Sequence, residues 1–328
     1  MASSSSTGAR NATYQPGLAL FSALGAAWVF VLVMLGAFTT SIGAGMVFSD
    51  WPLSNGSINP HGWLTDVAMF AEHSHRLSAG LMAMITFVLA VWLGRTERRV
   101  WLRRLVWWAV GLVLMQAVVG GLRVLLDQRH IGMVDTSVGR LFAMLHAVLA
   151  QLFACTLIAI AAACSRSWIE GADAPTGRAV RRLGLLCCVL LFVQLAIAAV
   201  MRHSFAGMAI PTFPASNFDG GLLPHLWNFR IAIHFAHRAM AAVLCVAIPW
   251  FVFTLVGDAN ASSRLRAGAV ALLVLLTAQI FLGAQIIWTY RAAYVTTGHV
   301  VVGALTLVTT FWLTWRAHRD AIEGKPAT

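Results

Sequence analysis

The segment FAEHSHRLSAG, residues 70–80, places four groups that can do chemistry inside an otherwise apolar stretch. They are Glu72, His73, His75 and Arg76. Ionisable side chains are costly in hydrocarbon, so such a set inside a membrane span is typical of a functional site. Glu72 precedes His75 by three residues, which puts the carboxylate and this imidazole on one helical face. His73 follows Glu72 directly and points about 100° away from it, so it is the less favoured participant.

Three further histidines occupy similar positions in other apolar stretches: His146, His237 and His299. Counted from the nearest outer-side charge, these three and His75 lie six to nine residues inside. At about 1.5 Å per residue the depth is roughly 9–14 Å for all four, which predicts one layer of imidazoles. Two imidazoles on facing helices, without a thiolate or a carboxylate cage, favour a haem iron ligated from both sides over zinc or a di-iron centre.

Membrane-spanning helices are the elements that must position these histidines. The chain of 328 residues is 59% hydrophobic and only 11% charged, which is typical of an integral membrane protein. A span needs about 20 mostly apolar residues. The stretches that satisfy this requirement are roughly 18–38, 67–93, 104–122, 141–163, 182–201, 231–256, 267–288 and 294–314.

The net charge of +11 follows the expected membrane topology, so we expect lipid contact and no nucleic-acid partner. Of the 23 Lys and Arg residues, 15 lie in the two tails and the loops 94–104, 165–182 and 258–267, whereas the alternate loops contain six. By the positive-inside rule both termini face the cytoplasm. The four histidines are therefore predicted to lie towards the outer leaflet.

The chain repeats itself. AGMVFSDWPLSN, residues 44–55, matches AGMAIPTFPASN at an offset of 162 residues. The same offset places EHSHR on HFAHR, so that His75 corresponds to His237. QAVVGG matches QIFLGA at an offset of 163, and His146 matches His299 at an offset of 153. The Gly-rich segments VVGGLRV and FLGAQ are explained by close helix packing alone.

This repetition predicts a duplicated four-helix unit whose copies enter the membrane from the same side, because four is an even number. The predicted fold class is an all-α membrane protein, with eight transmembrane helices arranged as two parallel, pseudo-two-fold-related four-helix bundles. The predicted domains are a disordered cytoplasmic tail (1–17), an N-terminal four-helix repeat (18–164), a cytoplasmic linker (165–181), a C-terminal four-helix repeat (182–316) and a cytoplasmic tail (317–328).

The two copies differ at one position that matters for chemistry, because Glu72 of the first is replaced by His234 in the second. A carboxylate beside a porphyrin edge can accept a proton or stabilise positive charge. Pairing with Arg76 at i+4 would also explain its presence. The difference suggests chemistry in the first copy and electron handling in the second. Arg76 and Arg238 each follow a histidine directly and are candidate partners for haem propionates.

The motifs EHSHR, MLHAVLAQ, HFAHR and TTGHVVVGA resemble those of the haem A synthase family, and the resemblance covers nearly all of residues 18–316. It implies an eight-helix enzyme of the inner (plasma) membrane that serves cytochrome c oxidase assembly. Such an enzyme oxidises a methyl group of haem O stepwise to the formyl group of haem A. The resemblance implies that His237 and His299 bind a haem b cofactor, and that His75 and His146 bind the substrate haem.

By the same resemblance Glu72 is the catalytic residue, which takes a proton or steadies a cationic intermediate before water adds. Haem O is the implied substrate, handed over by haem O synthase. Many bacterial members of this family carry a cysteine pair in the first outer loop. Phe48 and Ser54 occupy the corresponding positions here, so a loop disulfide or thiol relay is not expected. The DWPLSN segment is either a lid over the first site or an interfacial turn anchored by Trp51.

Two other functions fit the same histidines. A di-haem b-type electron-transfer cytochrome linked to quinone needs the four imidazoles but not Glu72. A non-catalytic haem carrier would bind haem O and leave it unchanged. The electron acceptor and the oligomeric state, a homo-oligomer included, stay open at this point.

Overall fold

The computed structural model of the protein describes residues 13–132, 136–171 and 176–324. Within them, the long helices are α1 (Pro16–Ser41), α2 (Val67–Thr96), α3 (Val100–Leu125), α4 (Val138–Cys164), α6 (Arg178–His203), α7 (Phe229–Gly257), α8 (Ser263–Trp288) and α9 (Ala293–Ala317). The short elements are the antiparallel strands β1 (His130–Ile131) and β2 (Thr136–Ser137) and the helices α5 (Arg166–Ile169) and α10 (Arg319–Ile322).

The eight long helices are the ones in the described part of the chain that are long and apolar enough to cross a bilayer. The predicted all-α membrane fold is therefore confirmed. The helix ends differ from the predicted spans. Helix α1 begins with Pro16, a residue suited to the first helical position, and so enters the predicted tail. The ranges 1–12 and 325–328 of the predicted tails lie outside the described residues.

Helical structure extends into both ends of the predicted linker 165–181. Residues 178–181 belong to α6, and α5 lies at the other end of the linker. Arginine has a high helix propensity, and its long side chain can reach past the hydrocarbon boundary, so the basic start of α6 continues the helix beyond the apolar run. Residues 172–175 of the linker lie outside the described residues.

The first four long helices contact one another in a ring, in the order α1, α2, α3, α4 and back to α1. Helices α6 to α9 form a second ring in the same way. Helix α1 contacts α9, and α4 contacts both α6 and α9, so these helices join the rings. The ring order places α2 opposite α4, and α7 opposite α9. The two parallel, pseudo-two-fold-related four-helix bundles stay a prediction.

Three of the helices that carry the histidines begin at a side-chain N-cap. Asp66 of α2, Ser137 of α4 and Asn228 of α7 each accept a hydrogen bond from the backbone N–H three residues later. In each case the predicted ligand follows the cap by nine residues. A cap fixes where a helix begins, so it also sets the depth of its histidine at about 1.5 Å per residue.

Candidate functional site: two pairs of buried histidines

His237 and His299 lie on opposite helices of the second ring, with ring centroids 6.4 Å apart and an interplanar angle of 63°. A metal–imidazole bond is about 2 Å long, and a ring nitrogen lies about 1 Å from its centroid. Two imidazoles on one metal should therefore have centroids roughly 6 Å apart. The spacing of this pair fits a single ion held between the two rings.

All four predicted ligands share a second feature. Within the described part of the chain, the Nδ1 atom of each ring is buried and has no hydrogen-bond partner: His75, His146, His237 and His299. Buried polar atoms without a partner are rare in folded proteins and call for a structural reason. Imidazole nitrogens that bind a metal would supply that reason.

The donor set favours iron in a porphyrin over a bare ion. Among the described residues, no group of three or more His, Cys, Asp or Glu side chains is arranged to hold a metal ion. A zinc site normally takes four protein or water ligands, whereas a porphyrin supplies its own four nitrogens and needs only axial ligands from the chain. Two opposed imidazoles are the axial set that such an iron requires.

Glycines of neighbouring helices give three of the four rings their space. A Cβ atom built at Gly36, Gly120 and Gly283 would lie 2.8, 3.2 and 3.3 Å from the Cε1 atoms of His75, His146 and His299, respectively. Gly120 and Gly283 belong to the segments that the sequence assigned to helix packing alone. That assignment was too narrow, because these glycines also border the histidine rings.

Glu72 is buried and hydrogen-bonded on both oxygens. Its Oε2 accepts the backbone N–H groups of Val47 at 2.8 Å and Phe48 at 3.2 Å, and its Oε1 lies 2.6 Å from Nη2 of Arg76. These partners offset much of the cost of removing a carboxylate from water. The pairing at i+4 is thus present, and the catalytic role of Glu72 stays a prediction beside it.

Arg76 holds the loop that connects α1 and α2. Its guanidinium donates to the backbone carbonyls of Phe48, Asp50 and Leu53 as well as to Glu72. The predicted contact with a haem propionate is not tested by these bonds. They do show that both Nη groups of Arg76 already have acceptors within the protein.

His73 is a second clamp on this loop, a role that its sequence position did not indicate. Its Nε2 lies 3.0 Å from the carbonyl of Ile58, and its Nδ1 lies 3.0 Å from Oγ of Ser54. Because a carbonyl can only accept, Nε2 carries the hydrogen and Nδ1 accepts from the Ser54 hydroxyl. His73 therefore binds as a neutral imidazole with both nitrogens in use.

The two positions where many bacterial members carry cysteine are occupied by well-packed residues. Phe48 is 0% exposed and Ser54 is 1% exposed. Nearby, Asp50 caps the turn of the same loop by accepting the backbone N–H groups of Asn55 and Gly56, each at 2.8 Å. Burial alone would raise the pKa of Asp50, but these backbone hydrogen bonds lower it below its usual value.

In the second ring, a histidine, His234, takes the position of Glu72 beside the corresponding loop. Arg238 donates to the backbone carbonyls of Ile210, Thr212 and Ala215, and its Nε lies 3.3 Å from Nε2 of His234. Nδ1 of His234 accepts the backbone N–H of Ile210 at 3.2 Å. The motifs EHSHR and HFAHR thus fix matching loops, and a carboxylate is present in the first only.

Comparisons with known proteins show what the chain is similar to. The model of the COX15-CtaA family, described as cytochrome oxidase assembly protein, matches residues 19–311. A protein named Heme A synthase from Methylobacterium radiotolerans is 28% identical over 302 residues, which cover 79% of this chain and 78% of that protein. A Heme A synthase from Geobacillus kaustophilus is 25% identical, with 94% of this chain and 96% of that protein covered. One from Shouchella clausii is 24% identical over 267 residues, with 80% and 84% covered.

Proposed function

Because the chain belongs to the COX15-CtaA family of cytochrome oxidase assembly proteins, we propose that it is a haem A synthase. In this proposal the protein oxidises a methyl group of haem O stepwise to the formyl group of haem A. His237 and His299 bind haem b, and His75 and His146 bind the substrate haem. When bound, haem b supplies one-electron redox chemistry.

The observation that carries the proposal is the difference between two otherwise matching histidine pairs. Both pairs have buried Nδ1 atoms without a partner, and both follow a loop held by an arginine. Glu72 lies three residues before His75 on α2, and His234 lies at the corresponding position before His237. A site that removes protons from carbon needs a base, whereas a site that passes electrons does not.

Glu72 can act as that base while it holds the loop. A carboxylate offers about four lone-pair positions, and the structure fills three of them with N–H donors. The remaining position on Oε1 can accept a proton or face a developing positive charge. The fixed donors hold the carboxylate in one orientation, so little reorganisation is needed when charge develops.

The loop held by Glu72, His73 and Arg76 is proposed to cover the first pair and limit the access of water. Oxidation of a methyl carbon releases electrons and protons, and the formyl oxygen comes from water. Controlled rather than free entry of water would protect the partly oxidised carbon from side reactions. The electrons pass to an acceptor outside this chain.

The eight apolar helices and the family place the protein in a membrane as a multi-pass protein. We further propose that this is the cell inner membrane, that both termini face the cytoplasm and that the histidine layer lies towards the outer leaflet. The excess of Lys and Arg in the loops on the terminal side supports this orientation. Haem O is proposed to arrive from haem O synthase within the same membrane.

Haem extraction after co-expression with a haem O source tests the proposed function. The wild-type protein should yield haem A, and Glu72→Gln should retain its bound haem while haem A formation falls by about 100-fold or more, as expected for the loss of a general base. Glu170→Gln is the matched control, because that glutamate is exposed and pairs with Arg166 on the surface.

The same extraction separates the two other functions. An electron-transfer cytochrome would keep both haems and its turnover in Glu72→Gln. A haem carrier would return unchanged haem O even from the wild-type protein. Either outcome would contradict the proposed synthase.

A further inference from the structure

Arg123, in the last turn of α3, differs from the other arginines near the histidine layer. Arg76, Arg202 and Arg238 all donate hydrogen bonds to protein oxygens. The Arg123 guanidinium has no hydrogen bond or ion pair in the described part of the chain. It lies flat against Gly45 of the first loop, where even an added Cβ atom would collide with Nη2. An arginine that is half-buried without a partner is a candidate to bind an anion from outside the chain.

Helix α3 places Arg123 beside the first histidine pair. Arg123 follows Gly120 by three residues on this helix, and a Cβ atom at Gly120 would lie 3.2 Å from Cε1 of His146. The guanidinium also contacts Gly45, which belongs to the loop whose backbone N–H groups bind Glu72. It therefore lies at the loop end of the proposed substrate site.

A second cation stands on the adjacent helix. The guanidinium carbon of Arg140, near the start of α4, lies 4.9 Å from the ring centroid of Phe205. Its side-chain N–H groups make no hydrogen bond within the residues that the structure describes. Arg140 lies six residues before His146 on α4, the helix that packs against α3, so both cations border the first histidine pair. The ring of Phe205 covers one face of the Arg140 guanidinium and leaves the N–H groups at its edge available for an anion.

These two arginines have no counterparts in the second repeat. The repeat offset of 163 places Ile286 opposite Arg123, and the offset of 153 places Ala293 opposite Arg140. The pair of cations is thus a property of the first site, like Glu72. A tetrapyrrole with two propionates carries two carboxylates on one edge, which matches two arginines in number and charge.

We propose that Arg123 and Arg140 bind the two propionate groups of the substrate haem and so fix its orientation in the first site. This inference rests on the proposed function and deepens it. It also revises the expectation for Arg76, whose N–H groups are already bonded to the loop and to Glu72. When both propionates are bound at this end of the site, only the opposite part of the porphyrin ring can face Glu72.

Binding of iron protoporphyrin IX and of its dimethyl ester tests this inference without measuring activity. The full-length protein in lipid nanodiscs, carrying the haem that it retains on purification, is titrated with each compound and followed by its Soret absorbance. The wild-type protein should bind the free acid at least about tenfold more tightly than the ester, the expected effect of losing charge-assisted hydrogen bonds. Arg123→Leu should reduce this preference by weakening binding of the free acid alone, because Arg140 still binds one propionate, and Arg123→Lys should restore part of it.

Two control variants are needed to interpret the titration. Arg129→Leu, an exposed arginine of the following loop, should keep the wild-type preference. His146→Ala should abolish porphyrin uptake. If the wild type takes up no porphyrin, or if His146→Ala takes up as much as the wild type, the proposed first site itself is wrong. If the wild type and Arg123→Leu bind both compounds equally, with uptake still dependent on His146, the arginine assignment alone is overturned.

Discussion

At the scale of single residues, the first site is built from polar side chains that each satisfy a specific group of the loop above them. Glu72 binds two amides, Arg76 binds carbonyls, and His73 binds one carbonyl and one hydroxyl. A loop held at this many points is rigid, and in the proposed function a rigid loop keeps the carboxylate in one orientation.

His73→Phe should loosen this loop. The change keeps an aromatic ring but removes the bonds to the Ser54 hydroxyl and the Ile58 carbonyl, and the buried hydroxyl alone costs about 1–3 kcal/mol when it loses its partner. Hydrogen–deuterium exchange of residues 47–58 should rise while exchange in α7 stays unchanged. Ser54→Ala, which removes only one of the two bonds, should produce a smaller rise. Equal protection of the loop in His73→Phe and wild type would contradict the assigned role.

Residue chemistry was predictable from the sequence only where spacing determines it. The i+3 relation of Glu72 to His75, and the offset that pairs His75 with His237, follow from helix periodicity. The hydrogen bonds from Arg76 to the loop do not follow from helix periodicity, because the path of a loop is not periodic. Arg123 was not singled out, since it adjoins no histidine in sequence and contacts the first loop only through the packing of α3.

At the scale of elements, the helices were predictable because hydrocarbon thickness dictates their length. Their ends were not, since helices continue past the apolar run until a cap or a turn stops them. Asp66, Ser137 and Asn228 show what the apolar pattern omits. A polar residue just outside a span does not affect hydropathy, yet it sets the depth of the histidine that follows.

Gly120→Leu should impair the first site while leaving the helix in place. A side chain at this position would press on the His146 ring, because even a Cβ atom would lie 3.2 Å from Cε1. We expect uptake of added porphyrin to fall by about tenfold or more, as for the loss of one to two kcal/mol of binding free energy. Gly111→Leu on the same helix is the matched control, since nothing lies within 4 Å of a Cβ atom there.

The reciprocal change is Gly283→Leu, which should reduce the haem retained by the second pair and spare uptake by the first. Pyridine haemochrome analysis of the purified protein measures the retained haem. If Gly111→Leu reduces binding as much as Gly120→Leu, the effect comes from general helix disruption rather than from crowding of the ring.

At the scale of the whole molecule, the two rings of helices meet at α1, α4, α6 and α9. Beside the histidine layer this junction contains Arg202 of α6, which donates to the backbone carbonyl of Ala37 and to Oγ of Ser41, both at 2.9 Å on α1. Ser41 in turn accepts a bond from Thr297 of α9 at 3.3 Å. The polar contacts thus join three helices, and they hold the first histidine pair at a fixed position relative to the second.

Arg202→Met should therefore weaken the junction rather than either site alone. Methionine retains much of the side-chain length and the apolar contacts but removes hydrogen bonds from a charged donor, each of which contributes about 1.5–3 kcal/mol. We expect the apparent Tm of the protein in nanodiscs to fall by several degrees, and electron exchange between porphyrins in the two pairs to become slower. Arg291→Met at an exposed position should change neither quantity. A normal Tm together with unchanged exchange in Arg202→Met would show that apolar packing of α1, α4, α6 and α9 suffices to join the two halves.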